Sequence, residues 1–323
     1  MPNFSQSLGY EDLAILFSKD ENTGTARFNA MSGAFGALGG DISAIKVNPA
    51  SGAVFKSSLF NSSVNSRDTE INANYYGSNT LTKDSYFDFS QSGAVFVYNN
   101  YSNSDWRKFA FSFNYSTRNN FNNRFTANGN GGYATFTEFP LDTNPTPLEY
   151  TNAESQQFSN IYSGEITEYN FSISGQYQDD LYLGLSLNTF DLQLRQMSNL
   201  SERNNDGSGN VLYSDFYQEN NTLGNGFSVS IGAIYKGSKN VRLGFSYQTP
   251  TWFTEITEAT NIYNVDGFLG HTQIEVSNDN QFYNNLSGDF YNPQVYMYKL
   301  NTPAKATASI AYLFGKNGLI SAD

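Results

Sequence analysis

The sequence predicts an all-β fold: a transmembrane antiparallel β-barrel preceded by a short helical hatch. Three observations predict it. Apolar and polar residues alternate with period 2 in six segments, which is the pattern of a strand with one apolar face. The segments are joined by short turns at one end and separated by long polar stretches at the other, as in membrane barrels. Aromatic residues gather beside the short turns, where an interfacial girdle is expected.

The first residues do not alternate. Residues 10–17 place Leu13, Leu16 and Phe17 on one helical face, with Glu11 and Asp12 in the first turn, where the helix dipole favours acidic groups. A run of small residues follows from Met31 through Gly39 and Gly40. Asp41 is placed to cap a short helix over residues 42–47. Asn48-Pro49-Ala50 ends that helix, because the residue before a proline is pushed out of the helical region. Small residues permit close packing, so residues 1–56 read as a plug for a barrel lumen. The alternative reading is a flexible leader with one marginal helix. Met1-Pro2-Asn3 lacks the basic start and apolar stretch of a secretory signal, so an exported protein would be present here in mature or recombinant form.

Strand signals fill residues 57–323. One strand is expected within residues 57–77, and residues 87–98 are strand-like with unclear facing. Phe109, Phe111, Phe113 and Tyr115 then alternate with Ala110, Ser112, Asn114 and Ser116. Tyr169, Phe171 and Ile173 alternate with Asn170, Ser172 and Ser174, and Leu181 to Leu187 with Tyr182, Gly184 and Ser186. Phe227 to Tyr235, Val241 to Tyr247 and Ala304 to Tyr312 repeat the pattern. Residues 119–165, 195–224 and 251–302 read as long loops. Tyr98, Trp106, Phe109, Tyr177, Tyr182, Tyr235, Tyr312 and Phe314 stand beside short turns, and Tyr247, Trp252 and Phe253 stand toward the far rim. If all short turns share a rim, about nine strands are present, the last beginning at Leu319 and cut by the end of the chain at Asp323. Because barrels of this kind carry even strand numbers, the sequence is expected to be truncated and unable to close alone. A soluble β-sandwich also alternates, but it seldom carries loops of this length.

Composition removes most other functions. The net charge is -12, with 18 Lys and Arg, which disfavours nucleic acid as a partner. There is no cysteine, so thiolate catalysis, disulfides and thiolate metal sites are excluded. The one histidine, His271, falls in a long polar stretch and reads as a solvated loop residue, so no catalytic residue is assigned. Residues 202–207 vaguely resemble a calcium loop, but its twelfth position is Tyr213, where a bidentate Glu is needed. No cofactor or metal is expected. Charged residues are 15% of the chain, against about a quarter in ordinary soluble domains.

Residues 24–50, with Asp41-Ile42-Ser43-Ala44-Ile45 and Asn48-Pro49-Ala50 after a Gly/Ala run, resemble the N-terminal hatch of the FadL/TodX family. The resemblance implies a 14-stranded barrel in the outer membrane of a Gram-negative bacterium. It implies passive transport of long-chain fatty acids or other hydrophobic compounds, with no enzyme activity. Gly39, Gly40, Asp41, Asn48, Pro49 and Ala50 would form the hatch or gate. Trp252 and Phe253 are candidate loop aromatics on which a ligand first lands. The expected partners are a hydrophobic small molecule, outer-membrane lipid and lipopolysaccharide, met by a monomeric barrel. Divalent cations could bridge Glu138, Asp142, Glu149, Glu154 and Glu165 to lipopolysaccharide, although a solvated acidic loop is the plainer reading. A strand deformation opens a lateral hole in that family; Gly93, Gly175, Gly184 and Gly244 are the glycines within strands here. The competing class is a FadL-like barrel that acts as a scaffold or shuttle for a secretion or surface-assembly partner. A transporter needs an apolar pocket beside the hatch; a scaffold would have a sealed polar lumen.

Overall fold

The computed structural model describes residues 10–21, 23–135, 137, 144–146, 148–264, 273–276, 281–284, 294–315 and 317–323. His271, Glu138 and Asp142 lie outside the described residues. Three short helices come first: α1 (Tyr10–Ser18), α2 (Ala26–Ala30) and α3 (Ala44–Val47). A 3-10 turn at Pro49–Val54 follows. The strands are β1 (Leu59–Tyr75), β2 (Ser78–Asn99), β3 (Trp106–Asn120), β4 (Asn123–Gly129), β5 (Asn152–Tyr177), β6 (Leu181–Asn205), β7 (Val211–Lys236), β8 (Val241–Gln248), β9 (Trp252–Asn264), β10 (Gln273–Val276), β11 (Gln281–Asn284), β12 (Gln294–Asn301), β13 (Lys305–Leu313) and β14 (Leu319–Ala322).

Successive strands pair antiparallel, in the order β1-β2-β3-β5-β6-β7-β8-β13-β14. β4 continues β3 along β5, and β9 and β12 continue β8 and β13 upward, so the wall has nine strands curled as a half-barrel. Tyr76 and Gly77, both with positive φ, form the two-residue turn between β1 and β2, a turn type whose twist matches that of the strands. β8 and β9 are interrupted at Pro250, and β12 and β13 at Pro303. The register that sets Lys305 opposite Gln248 and Asn301 opposite Trp252 sets the two prolines opposite one another, where neither can donate to the ladder.

Facing follows the alternation. Phe111, Phe113, Phe171, Ile173, Leu183, Leu185, Leu187, Ile231, Leu243 and Phe245 lie exposed on the outer surface. Asn114, Ser116, Asn170, Ser172, Ser186, Asn188, Ser228 and Ser230 lie buried on the inner one. Inside, Asn188 Nδ2 donates to Ser228 Oγ at 3.1 Å and Ser230 Oγ at 2.9 Å, and Gln248 Nε2 donates to Ser228 Oγ at 2.9 Å. Asn188, Gln248, Ser228 and Ser230 thus bond to one another across the strands.

Three sequence expectations need correction. The three stretches read as long loops are largely strand: residues 119–165 hold β4 and the start of β5, residues 251–302 hold β9 and β12, and in residues 195–224 β6 runs to Asn205 and β7 starts at Val211. Alternation fades there because both faces meet polar surroundings, while the backbone ladder continues unbroken from Leu181↔Tyr235 to Asn205↔Val211. At 26 residues, β5 and β7 reach roughly 85 Å, far beyond the ~10 residues that cross a bilayer. The helix expected at residues 42–47 is shortened to Ala44–Val47. Tyr182 does not join the outer girdle; it is buried inside, under Ala50 and Ala53.

Candidate functional site: hatch and lumen pocket

The hatch is built around two polar anchors. Thr25 caps α2 by accepting the Phe28 N–H at 3.1 Å. Its hydroxyl donates to the Asp41 carboxylate, with both oxygens within 3.0 Å, and Arg27 Nε donates to the same group at 3.2 Å. Asp41 also accepts the Ser43 N–H at 3.0 Å, so it fixes the corner before α3 rather than the helix end itself. Gly39 and Gly40, with φ of +60° and +67°, make the turn into that corner in the left-handed region that glycine adopts without cost.

Asn48 is the second anchor and is fully buried. Its Oδ1 accepts the Ala50 N–H at 3.1 Å and so caps the 3-10 turn, with Pro49 in the first position where its missing N–H is harmless. Its Nδ2 donates to Gly36 O at 2.8 Å and reaches Ala233 O at 3.1 Å and Phe245 O at 3.4 Å. One amide therefore ties the small-residue run to the carbonyls of β7 and β8. Wall cations add to this: Arg242 donates to Leu38 O at 2.6 Å, and Lys108 donates to Phe55 O at 2.8 Å.

The glycines within strands are seats for the hatch. A Cβ at Gly184 would strike the Pro49–Ala50 peptide, one at Gly244 would strike the Gly36 carbonyl, and one at Gly232 would strike the Asn48 side chain. At Gly93 it would meet Ile42 at 2.9 Å. Gly175 differs, because it lies under Trp106 and Phe109 instead.

Above the hatch the inner wall turns apolar. Phe121, Ile166, Phe190, Leu192, Leu194, Phe253 and Ile256 form one buried cluster, which Tyr298 and Leu300 border and which Leu13 and Phe17 of α1 enter. β7 crosses it with Gly224 and Gly226, whose missing side chains leave room for Ile256 and Phe253. A groove of about 380 Å³ runs on between α1 and β12, lined by Leu13, Ala14, Phe17, Tyr296, Met297 and Leu300. The floor is charged. Arg118 is the extra residue of a bulge in β3 against β5, which turns its guanidinium inward. There it pairs with Asp20 and lies 4.9 Å over the Phe190 ring. Lys305 pairs with Asp20 at 3.2 Å, and Lys46 Nζ donates to Thr23 O at 2.6 Å. Burial holds the Lys46 ammonium below the usual lysine value.

Gly39, Gly40, Asp41, Asn48, Pro49 and Ala50 thus come together in one N-terminal segment packed against the inner wall. Trp252 and Phe253 are not loop residues: both belong to β9. Trp252 packs against the outward Phe227, and Phe253 is 1% exposed within the lumen cluster. Glu154 and Glu165 have protein partners, the first in Arg203 and the second in Tyr115, Thr117 and Thr167. The pocket residues of β6 were readable and missed. In Leu181–Leu187 the apolar residues are odd-numbered, but Phe190, Leu192 and Leu194 are even-numbered, so the greasy side changes face.

These features define a class: a β-barrel wall, greasy outside and polar inside, with a stapled hatch below an inward apolar pocket. No family model and no curated protein matches the sequence. Among solved structures, a FadL homologue from Pseudomonas aeruginosa is similar, with a TM-score of 0.53 and 16% identity over 92% of this chain and 66% of that one. The chain has the fold of a FadL-type barrel and spans about two-thirds of the length of that structure. Among the described residues no helix is long and apolar enough to cross a membrane, and no group of three metal-ligating side chains comes together.

Proposed function

We propose that this chain forms wall and hatch of a passive conduit for hydrophobic compounds, long-chain fatty acids among them, across the outer membrane of a Gram-negative bacterium. The observation that carries this reading is the inward apolar cluster around Phe190, Leu192 and Phe253, directly above a hatch that Asn48 staples to the wall. An apolar molecule gains roughly 0.8 kcal/mol for each CH2 that leaves water for such a pocket. It goes on when the contacts of the Asn48-Pro49-Ala50 hatch give way. No bond is made or broken, so the chain acts as a channel and not as an enzyme. Phe253 is better placed to line the pocket than to meet the ligand first, and Trp252 to sit in the outer aromatic girdle beside outer-membrane lipid. The pocket favours transport over the scaffold reading, which needs a polar, sealed lumen. Purification in mild detergent followed by native mass spectrometry tests this. An apolar molecule travelling with the folded protein, and lost in Phe190→Ala, is the expected result. Absence of any such molecule, together with no uptake of a long-chain acid or alcohol into proteoliposomes, would overturn it.

A further inference from the structure

The rim on the hatch side gathers positive charge that the rest of this acidic chain does not balance. Lys108 of β3, Lys236 at the end of β7 and Arg242 at the start of β8 lie on the inner side of the wall, and Lys56 follows the 3-10 turn of the hatch and is exposed. Lys236 stands directly opposite Arg242 in the β7–β8 ladder. Like charges so placed destabilise a sheet. Lys56 and Lys236 also reach Lys108 through charge, and Lys56 reaches Lys236, so the four share one field. Their contacts are neutral: Lys108 donates to Phe55 O at 2.8 Å, Arg242 to Leu38 O at 2.6 Å, and Lys236 to the Tyr182 hydroxyl. Among the described residues none of the four forms an ion pair, and Asp179 and Asp180 of the β5–β6 turn act on Lys236 only from longer range. The other end of the wall is different. There Lys83, Arg124, Arg195 and Arg203 are each paired with a carboxylate. With 30 acidic residues against 18 basic ones, partners were plentiful, yet this rim has none.

We propose that the hatch-side mouth is a docking site for an acidic polypeptide segment, presented by a partner protein that meets the barrel from that side. Lys56, Lys108, Lys236 and Arg242 are the residues that hold it. They come from four separate places in the chain, and Lys108 and Arg242 are tied to carbonyls 17 positions apart in the hatch segment. Such a spread suits carboxylates spaced along a chain better than one compact anion. A charge-assisted bond to a carboxylate is also stronger than the present bonds to neutral oxygens, so the incoming segment gains by taking these cations over. The net charge of -12 repels an acidic segment elsewhere, which confines it to this mouth and makes its approach sensitive to salt. The inference concerns the opposite end of the hatch from the apolar cluster and does not depend on what that cluster shelters.

A hexaglutamate peptide with a terminal fluorophore, and a hexaglutamine peptide with the same fluorophore, test this by anisotropy with the folded protein in an uncharged detergent. The glutamate peptide is expected to bind, more weakly as salt rises, and the glutamine peptide is not. Lys56→Gln/Lys236→Gln is expected to weaken binding about tenfold, and Lys56→Gln alone about threefold. Lys83→Gln/Lys299→Gln removes the same charge from the far part of the wall and should leave binding unchanged. If the Lys236 variant does not fold, the exposed Lys56→Gln decides against Lys83→Gln. No binding at low salt, or equal weakening by changes at both ends, would overturn the inference. Displacement of the peptide by inorganic pyrophosphate, where chloride of equal ionic strength has no effect, would also overturn it by assigning the mouth to a compact oxyanion. Each of these results leaves the search for a co-purified apolar molecule untouched, so the two readings fail separately.

Discussion

Along β6 the wall reverses its chemistry. In the lower stretch Leu183, Leu185 and Leu187 face outward, and Gly184, Ser186 and Asn188 face in. In the stretch above, Asp191 and Gln193 face outward, and Phe190, Leu192 and Leu194 are buried inside. The backbone ladder does not register the change; it runs on in one register. The difference teaches what each zone is for. Below, the apolar side faces out, and the inside is held to the N-terminal segment through Asn48, Arg242 and Lys108. Above, the outward positions of β6 turn polar and the inward ones apolar, which under the proposed function is where an apolar molecule is sheltered.

The largest effect should come from the upper inner face. Phe253→Ala empties a fully buried site shared with α1, and losses of this kind run to about 3–5 kcal/mol in packed cores. Phe171→Ala in the lower zone removes a half-exposed outward ring and should cost less than about half as much in detergent. Thermal unfolding of the two variants compares the zones directly, and equal losses would erase the distinction. A smaller effect is expected at the seat of the hatch. Gly184→Val drives a side chain into the Pro49–Ala50 peptide, and overpacking of that sort costs about 1–3 kcal/mol. Limited proteolysis should find the hatch cut faster while the wall stays protected. The neighbouring outward swap Leu185→Val should leave the hatch protected.

Much of this was legible in the sequence, for identifiable reasons. Period 2 fixes which side of a strand is greasy, so Phe111 and Asn114 fell on opposite faces as read. One strand before Ser78 was expected and β1 is there, but the premise that short turns share one rim fails, because Tyr76-Gly77 and residues 206–210 close the opposite rim. The helix over Tyr10–Ser18 followed from the spacing of Leu13, Leu16 and Phe17. What was lost has a physical reason too. Strands that rise above an apolar belt no longer need contrast between faces, so β6 and β7 looked like loop beyond Leu194. The glycines could be placed on strands but not explained, because what presses on Gly184 and Gly244 comes from the distant hatch. Asp20, Arg118 and Lys305 meet only through the curl of the sheet; no local spacing joins them.

Asn48→Ala ranks next, because it touches the lower zone through one side chain. It removes the cap on the 3-10 turn and the donor facing Gly36 and Ala233. A buried carbonyl left without its donor costs about 1–3 kcal/mol. Asn48→Asp should be at least as harmful, since it sets a carboxylate against the same carbonyls while keeping the side-chain shape. Hydrogen exchange at residues 50–54 should quicken in both, with amides of β5 and β6 unchanged. Quickening throughout the wall would mean that Asn48 supports the barrel and not the hatch alone.

The smallest effect is a dependence on pH, and its sign follows from Asp20. Burial pushes this carboxyl upward, but Arg118 and Lys305, by charge and by hydrogen bonding, outweigh it and hold the carboxyl below its ordinary value near 3.8. A carboxyl lowered by folding supports the docked helix fully above its unfolded value, and that support is lost as pH falls through the lowered one. Glu168 is a second buried carboxylate on this floor, so in a Glu168→Gln background docking of α1 should be flat from neutrality down to about pH 4 and weaken only below it. A spin label on Ile15→Cys reads this as growing mobility in acid, and Asp20→Asn should flatten the acid limb. Mobility that already changes between pH 5 and 7 would assign the hold on α1 to another group and separate the upper pocket from its cation floor.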